Sequence, residues 1–508
     1  MHHPLPPQTS RRRLAALLSS VAFAGVACAS LLAAGAIAPA LADDAAPGYA
    51  PNSVVEPNVP VSHHDRVYAA EQFSNTVSVI DPADNKLLGL IRLGDPQPMN
   101  FSPLYRGQVL VHGMGISPDR HTLAVVSIGS NSVTFIDTQS NKVLATTYVG
   151  RSPHEAFYTP DGKEVWVTVR GEDYVSVLDG KSFAETGRIK LPNGPGMTMF
   201  SPDGKYGYVC SSFEPVTTIF DVASKQKVGE MKQASPFCPN IAVTPEGDQV
   251  WFTLKDTGKV QVFNALPPFN MLTTIDSGPI TNHVNIAETP KGRFAYVTVG
   301  GLDQVKVYDT KDFHLVATIP VADMPHGVWP SGDGSRVYVG NENSDLMMAI
   351  DTATNKVVAS VPIGQAPQAI IYAPQAVTDP VTATANLQPL GLAGQSAQLN
   401  LAGGDGKPTT RVTLYNQGIT QVLQAAATGL KPGSMYVLAL AGDAKGSGLL
   451  EPLAQFKANP AGAAIVNAVG PIHQIIAADA GAQRRYLVIA PLDGDKPGAP
   501  VQLQAALP

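Results

Sequence analysis

A chain of 508 residues is too long for one compact core and leaves room for more than one domain. Acidic residues outnumber basic ones by 41 to 35, which gives a formal net charge of −6. This balance argues against phosphate-backbone binding as the main activity, because such binding needs a basic surface. We therefore expect no nucleic-acid partner.

The N-terminus carries a predicted export signal. Arg11, Arg12 and Arg13 precede an uncharged stretch that ends in Ala-Leu-Ala at residues 40–42, the small residues that signal peptidase requires. The stretch is long enough for a membrane anchor, but its alanine-rich composition favours cleavage. The arginines also resemble a twin-arginine signal, and ordinary secretory export stays open. We expect a leader over 1–42, then a flexible segment over 43–60, and a bacterial protein of the periplasm or cell surface without stable membrane insertion.

Residues 61–377 carry an internal repeat of about 42 residues. Its first mark is a turn related to Ser-Pro-Asp-Gly, whose third positions follow one another at 42, 42, 43, 45 and 42 residues: Asp119, Asp161, Asp203, Glu246, Lys291 and Asp333. Its second mark is an alternating strand after the turn, such as Val165-Trp166-Val167-Thr168-Val169. Such β-branched and aromatic residues suit a pleated, half-buried surface.

The third mark is a strand that ends in Asp or Asn. Seven such ends occur: Asp81, Asp137, Asp179, Asp221, Asn264, Asp309 and Asp351. Four short strands per period are typical of a propeller blade, so seven ends predict a seven-bladed β-propeller in an all-β protein. The segment Tyr296-Val297-Thr298-Val299 is close to the tetrapeptide that names the YVTN family. The region resembles exported bacterial YVTN propellers, whose repeats are WD-like.

Both ends of the repeat region predict how the ring closes. The chain enters at Arg66-Val67-Tyr68 in the second strand of a blade, whereas residues 366–372 repeat the pattern of a first strand. The last segment should therefore complete the first blade and remove its open edge. The step from Asp81 to Asp137 is 56 residues, which predicts an inserted loop near residues 96–108 on the binding face.

The repeat ends after Pro374, and the composition turns to Ala, Gly, Gln and Leu. Short strand-like runs occur at residues 411–415, 435–440 and 486–489. We predict a separate small β-sandwich-like domain over residues 378–508. No motif in it indicates a function.

Histidines recur at the predicted channel mouth. Aligning the blades on the turn places one residue at the start of each innermost strand: His112, His154, Gly196, Pro239, Val284, His326 and, for the closing blade, Gln368. His283 lies one residue earlier on the sixth blade. Several imidazoles aimed at one axis can bind copper or zinc, so the predicted metal ligands are His112, His154, His326 and His283. The alternative is that these histidines hydrogen-bond the loops between blades.

A second polar set should reach the same face, because the second strand of each blade runs back towards it. The residues at its exit include Gln72, Arg170, Lys255 and Glu342, which together with Gln368 are the predicted ligand-binding residues. Arg170 and Lys255 suit an anionic ligand. Alternatively, they are rim charges paired with Glu172, Glu342 or Asp256.

Two classes of function remain open. The first is a ligand-binding or scaffold propeller for a small molecule or protein, since no P-loop, nucleophile elbow, Rossmann motif or zinc-protease helix occurs. The second is an enzyme, with catalytic residues that the sequence does not identify. One form is a copper-dependent oxidoreductase that resembles nitrous oxide reductase and thiocyanate dehydrogenase in architecture only. Another is similar to the lactonase and streptogramin-lyase propellers.

Two cysteines lie beyond the predicted leader, Cys210 and Cys238. Both should lie towards the same face of adjacent blades. They are therefore placed to form a disulfide if their Cα atoms come within about 7 Å. Two packed free thiols are the alternative.

Overall fold

The computed structural model describes most of the chain beyond the predicted leader: residues 59–94, 109–191, 194–417, 421–470 and 484–505. The predicted leader, nearly all of the predicted flexible segment and the predicted loop at 96–108 lie outside these described residues. Helical structure within them consists of short 3₁₀ turns at Gly300–Leu302, Thr382–Thr384 and Gly391–Gly394. Within the same ranges, no helix has the length and apolar character needed to cross a bilayer.

Residues 66–373 form seven four-stranded antiparallel sheets, which are the blades of a propeller. Blades 1 to 3 contain β1 Arg66–Glu71, β2 Thr76–Asp81 and β3 Lys86–Arg92; β4 Val111–Ile116, β5 Thr122–Ser127, β6 Ser132–Asp137 and β7 Val143–Tyr148; β8 Pro153–Tyr158, β9 Glu164–Val169, β10 Tyr174–Asp179 and β11 Glu185–Lys190. Blades 4 and 5 contain β12 Pro195–Phe200, β13 Tyr206–Ser211, β14 Val216–Asp221 and β15 Lys227–Lys232; β16 Ile241–Val243, β17 Gln249–Leu254, β18 Lys259–Asn264 and β19 Met271–Asp276. Blades 6 and 7 contain β20 Thr281–Thr289, β21 Gly292–Val299, β22 Gln304–Asp309 and β23 Leu315–Pro320; β24 Pro325–Pro330, β25 Arg336–Asn341, β26 Leu346–Asp351 and β27 Lys356–Pro362, after which β28 Pro367–Ala373 completes blade 1. The predicted fold class, all-β with seven blades, is confirmed.

Each blade is shaped by the two turn signals of the repeat. In blade 4, Ser201 Oγ donates to Asp203 Oδ1 at 2.5 Å and accepts the backbone N–H of Tyr206 at 2.9 Å. Gly204 has a φ of +70°, a left-handed conformation that costs glycine nothing. At the end of β10, Asp179 Oδ1 accepts the backbone N–H of Ser182 at 2.7 Å. The first signal thus makes the turn between strands one and two, and the second makes the turn between strands three and four.

The ring closes as the repeat pattern predicts. Strand β28 pairs antiparallel with β1, so that Val67 lies opposite Tyr372. The Tyr372 hydroxyl donates to Asp65 Oδ2 at 2.7 Å. At the other end of the seam, buried Glu71 accepts the backbone N–H of Gly364 at 2.9 Å and the hydroxyl of Thr76. The first blade is therefore assembled from both ends of the propeller sequence.

Cys210 and Cys238 form a disulfide, with their Cα atoms 6.3 Å apart. Cys210 lies in β13 of blade 4, and Cys238 precedes β16 of blade 5. Both cysteines are buried. The bond therefore joins adjacent blades next to the channel.

The C-terminal domain is one nine-stranded antiparallel sheet. Its strands are β29 Ser396–Ala402, β30 Pro408–Asn416, β31 Gln421–Ala427, β32 Met435–Ala441, β33 Glu451–Lys457, β34 Ala464–Gly470, β35 Tyr486–Asp493, β36 Lys496–Pro497 and β37 Gln502–Gln504. Their order is β33-β32-β35-β37-β29-β30-β31-β34, with β36 beside β35, and the sheet curls until β33 and β34 approach each other. Leu401, Leu438 and Ile489 pack inside it. The core of this domain is therefore enclosed by one nearly closed sheet. The predicted β-sandwich-like domain would instead have two stacked sheets.

The C-terminal domain packs over the end of the propeller at which the second strands finish. Its ring contact is between Tyr415 and Phe73, with centroids 4.7 Å apart. Several polar contacts reach residues that lie between the second and third strands of a blade: the Tyr415 hydroxyl to Glu342 O, the Thr413 hydroxyl to Asn343 O, Gln417 Nε2 to Phe73 O, Ala461 N to Asp256 O, and Arg411 to Asp303. The domain without a legible motif is therefore a cap on the predicted binding face.

Candidate functional site

A cavity of about 380 Å³ lies between the propeller and the cap. The propeller contributes Gln72, His112, His154, Arg170, Phe237, Pro239, Lys255, Asp256, Ile280, His326, Glu342 and Gln368. The cap contributes Gln424, Lys457, Asn459, Ala463, Ala464, Ile465 and Asn467. All five predicted ligand-binding residues and three of the four predicted metal-ligating histidines therefore line one cavity. Whether they bind a ligand stays a prediction.

Two positions of the blade supply the propeller side of this cavity. His112, His154, His326 and Gln368 are each the second residue of an innermost strand, in β4, β8, β24 and β28. Gln72, Arg170, Lys255 and Glu342 each directly follow a second strand, after β1, β9, β17 and β25. Because adjacent strands run antiparallel, the start of the first and the end of the second meet at one face.

The histidines form a connected group of rings. The centroid of His112 lies 4.5 Å from that of His154 and 6.3 Å from that of His326, and His283 lies 4.6 Å from His326. All four side chains are almost completely buried. His283 lies deeper than the other three and lines a smaller cavity of about 10 Å³ within the channel, beside Glu155 and Asn285.

Backbone carbonyls of the neighbouring blades orient two of these rings. His154 Nδ1 lies 2.8 Å from Gly196 O, and His326 Nδ1 lies 2.6 Å from Gln368 O. Since a carbonyl only accepts, each Nδ1 carries the proton and each Nε2 keeps a free lone pair. This bonding fits the structural alternative for the histidines, and it also presents Nε2 as a ligand atom.

Burial and positive charge keep the imidazoles neutral. Burial, followed by the charges of Arg170 and Lys255, lowers the pKa of His112 to about 3. Burial likewise lowers the pKa of His283 to about 3 and lowers the pKa values of His154 and His326 well below their usual range. At neutral pH these rings therefore act as hydrogen-bonding groups or metal ligands, not as cations.

Arg170 and Lys255 are the cations of the cavity. Within the described residues, neither has a carboxylate oxygen within 4 Å. The Arg170 guanidinium lies over the Phe237 ring, 4.7 Å from its centroid, and Glu172 pairs with Arg151 instead. Burial lowers the pKa of both cations, and the charge of Arg170 lowers the pKa of Lys255 further. The ion pairs that would make these residues ordinary rim charges are therefore not formed.

Glu342 and Asp256 are the acids of the cavity. Glu342 is 3% exposed, and its Oε2 lies 4.0 Å from His326 Nε2. Burial raises the pKa of Glu342 more than Lys255 and the side chains of Gln368 and Gln424 lower it. Burial also raises the pKa of Asp256, against the attraction of Lys255 and a hydrogen bond from Asn459. Both acids moderate the positive charge of the cavity at a distance.

Sequence reasoning missed the cap residues and the propeller residues Phe237, Ile280 and Glu155, and it named Asp256 only as an alternative partner for Arg170 and Lys255. Asp256 and Glu155 each directly follow a predicted site residue, so the register carried a signal for them. The cap residues carried none, because the C-terminal domain has no repeat that would align Gln424 or Asn459 with the channel.

Comparison with known proteins supports the propeller. Residues 142–359 match the family model described as "Lactonase, 7-bladed beta-propeller". The matched segment is less than half of the chain. No curated protein matches the sequence. The similar solved structures include a functionally unknown protein from Desulfotomaculum acetoxidans DSM 771, with 16% identity and a TM-score of 0.51 over 61% of this chain and 98% of that chain.

Two further solved structures have lower TM-scores. Hydrazine synthase of Kuenenia stuttgartiensis has 21% identity and a TM-score of 0.46, over 51% of this chain and 88% of that chain. Dihydro-heme d1 dehydrogenase NirN, solved in complex with DHE, has 11% identity and a TM-score of 0.46, over 81% of this chain and 76% of that chain. At these identities the likeness concerns the fold alone. The chain is a seven-bladed β-propeller that is similar to the lactonase propellers over residues 142–359.

Proposed function

We propose that this protein is an exported propeller that binds a small anionic molecule in the cavity between the propeller and the cap. The observation that carries the proposal is the pair Arg170 and Lys255, two cations that line the cavity without a carboxylate within 4 Å in the described part of the chain. A partly buried charge without a partner is costly in a folded protein. An anionic ligand offsets that cost when it binds.

The chemistry of the remaining lining indicates a polar ligand. Gln72, Gln368 and Gln424 offer amide groups, and the Nε2 atoms of His154 and His326 offer acceptors, since their Nδ1–H groups are used by backbone carbonyls. Phe237, Ile280 and Ile465 are the large apolar side chains of the lining. A volume of about 380 Å³ suits a small molecule rather than a folded partner.

The test uses tag-free, metal-free protein and four probes: acetate, gluconate, phosphate and sulfate. Isothermal titration calorimetry and thermal melting should detect one-to-one binding of at least one of them. Arg170→Met and Lys255→Met should each weaken that binding by at least about tenfold, the equivalent of about 1.4 kcal/mol. Lys181→Met, at an exposed position of blade 3, is the matched control and should bind like the wild type.

The same variants report on the ligand-free protein. Lys255→Met should raise the melting temperature, because burial disfavours the charge of Lys255 more than Glu342 and Asp256 favour it. A lower melting temperature with unchanged binding of all four probes would mean that Lys255 is a structural charge, and the proposed function would then be wrong.

An enzyme acting in the same cavity is the second candidate, and the match to the lactonase model favours it. Hydrolysis of a lactone releases a carboxylate, and Arg170 and Lys255 are placed to hold such a product. The test is hydrolysis of gluconolactone followed by proton release, with Arg170→Met as the variant that should slow it. Binding of gluconate without any acceleration of this hydrolysis favours the binding protein.

A further inference from the structure

The small cavity within the channel is lined by a carboxylate that has neither a cation nor a full set of hydrogen bonds beside it. Glu155 is 2% exposed, and its Oε1 has no hydrogen-bond partner among the described residues. A buried carboxylate normally has its oxygens bonded or faces a cation, because taking an unpaired charge out of water is expensive. Arg170 and Lys255 line the outer cavity instead, whereas Glu155 lines the small inner one.

The fold makes room for this carboxylate. Gly113 lies in β4 of the neighbouring blade, and a Cβ atom there would overlap the Glu155 carboxylate and the His154 carbonyl. The backbone of Met114 also hydrogen-bonds the carboxylate. Glu155 is therefore held at the contact between blades 2 and 3. Its carboxylate occupies space that exists only because position 113 is glycine.

Two imidazoles lie beside this carboxylate. One ligand atom from each of His112, His154 and Glu155 lies within 4.8 Å of the other two. The Nδ1 of His112 has no partner in the described chain, and the Gly196 carbonyl fixes the tautomer of His154. The His154 nitrogen nearest Glu155 is Nδ1, 3.9 Å from Oε1, and it already bonds the Gly196 carbonyl, so binding an ion requires the ring either to give up that bond or to turn Nε2 towards Glu155. Around one ion with ligand distances near 2.1 Å, donor atoms stand about 3.4 Å apart, so the three side chains also have to draw together.

We propose that His112, His154 and Glu155 bind one divalent metal ion of the zinc class at the boundary between the two cavities. Two neutral imidazoles and one carboxylate form a ligand set that suits Zn²⁺ and leaves a position open for water or a ligand. The ion would be the positively charged partner that the surroundings of Glu155 lack. His326 and His283 lie beyond this set, and this site does not depend on anion binding in the outer cavity.

The test starts from tag-free protein stripped with a chelator, because a histidine tag binds the same metals. Calorimetric titration with Zn²⁺ should give one equivalent per chain, and Co²⁺ should give the visible absorption of an ion with imidazole and carboxylate ligands. Glu155→Gln and His154→Ala should each weaken Zn²⁺ binding by more than about 100-fold, beyond what changes in the outer shell of a metal site cost. His121→Ala, at an exposed turn, is the control and should bind like the wild type.

Glu155→Gln preserves the volume of the side chain, and its melting temperature without metal should be close to that of the wild type, since burial raises the pKa of Glu155 and so already favours its neutral form. Absence of stoichiometric Zn²⁺ binding by the wild type overturns the proposal. Binding that survives Glu155→Gln but is lost in His326→Ala also overturns it, because the ion would then belong to the outer histidines. The anion titrations use metal-free protein, so either proposal can fail alone.

Discussion

Glu71 should make the stability of the propeller depend on pH at the seam where the ring closes. It ends β1, is fully buried, and accepts the backbone N–H of Gly364 at 2.9 Å. Burial raises the pKa of Glu71 from 4.5 to about 7, despite hydrogen bonds from Ser78 and Thr76 that lower it. The protonated carboxyl is therefore the form that the folded protein favours.

The sign of the effect follows from proton binding. Between pH 4.5 and 7 the folded state keeps the proton of Glu71 while the unfolded state has lost it. The free energy of unfolding therefore falls as the pH rises through this window. A shift of about 2.5 pKa units corresponds to about 3 kcal/mol, which is fully lost above pH 7. Asp345, whose pKa burial also raises to about 7, adds to the same trend.

Glu71→Gln isolates the contribution of one side chain, because glutamine retains the shape and an acceptor for the Gly364 N–H. Urea unfolding at pH 5, 6, 7 and 8, followed by tryptophan fluorescence, should show the variant gaining about 2.5 kcal/mol relative to the wild type across the series, which starts inside the window. All three tryptophans lie in the propeller, so the signal reports on the ring. A difference between variant and wild type that does not change with pH would refute the reasoning.

Three further predictions concern the chain ends and the disulfide. Ending the chain before residue 366 removes β28 and should unfold the ring, whereas ending it after residue 377 should leave a folded propeller by circular dichroism; equal stability of the two contradicts the closure. Replacing Cys210 and Cys238 by alanine should lower the free energy of unfolding by about 3–4 kcal/mol in urea titrations, given their separation of 28 residues; an unchanged midpoint argues against this. The exported protein should begin at Asp43 by N-terminal mass mapping, and an intact leader would disprove cleavage.

The blades could be predicted from the sequence because one short turn sets the register of every strand. Once Asp161 and Asp203 were aligned, the positions of His154 and Gly196 followed, and the structure places both as second residues of their strands. The exits of the second strands followed in the same way, which brought Arg170 and Lys255 to the right face.

The cap could not be predicted to cover that face. Its docking depends on single contacts, such as Tyr415 on Phe73 and Arg411 on Asp303, that leave no periodic pattern. Glu155 was missed for a different reason. In a regular strand, neighbouring side chains point to opposite faces, so Glu155 should point away from the channel if His154 points into it. The pairing of β8 with β9, however, shifts register between Pro153 and Ala156. That irregularity turns consecutive side chains towards the channel.

The position of the closing strand also determines how long the first blade stays incomplete during synthesis. About 300 residues separate β1 from β28, so at 5–20 residues per second the first blade waits roughly 15–60 s for its innermost strand. Throughout that interval the edge formed by Val67 and its neighbours is open to pairing with other chains. A twin-arginine route would let the ring close in the cytoplasm, whereas a secretory route would carry the open edge across the membrane. If the predicted leader directs export, the route would therefore decide which compartment has to shield the open edge from aggregation.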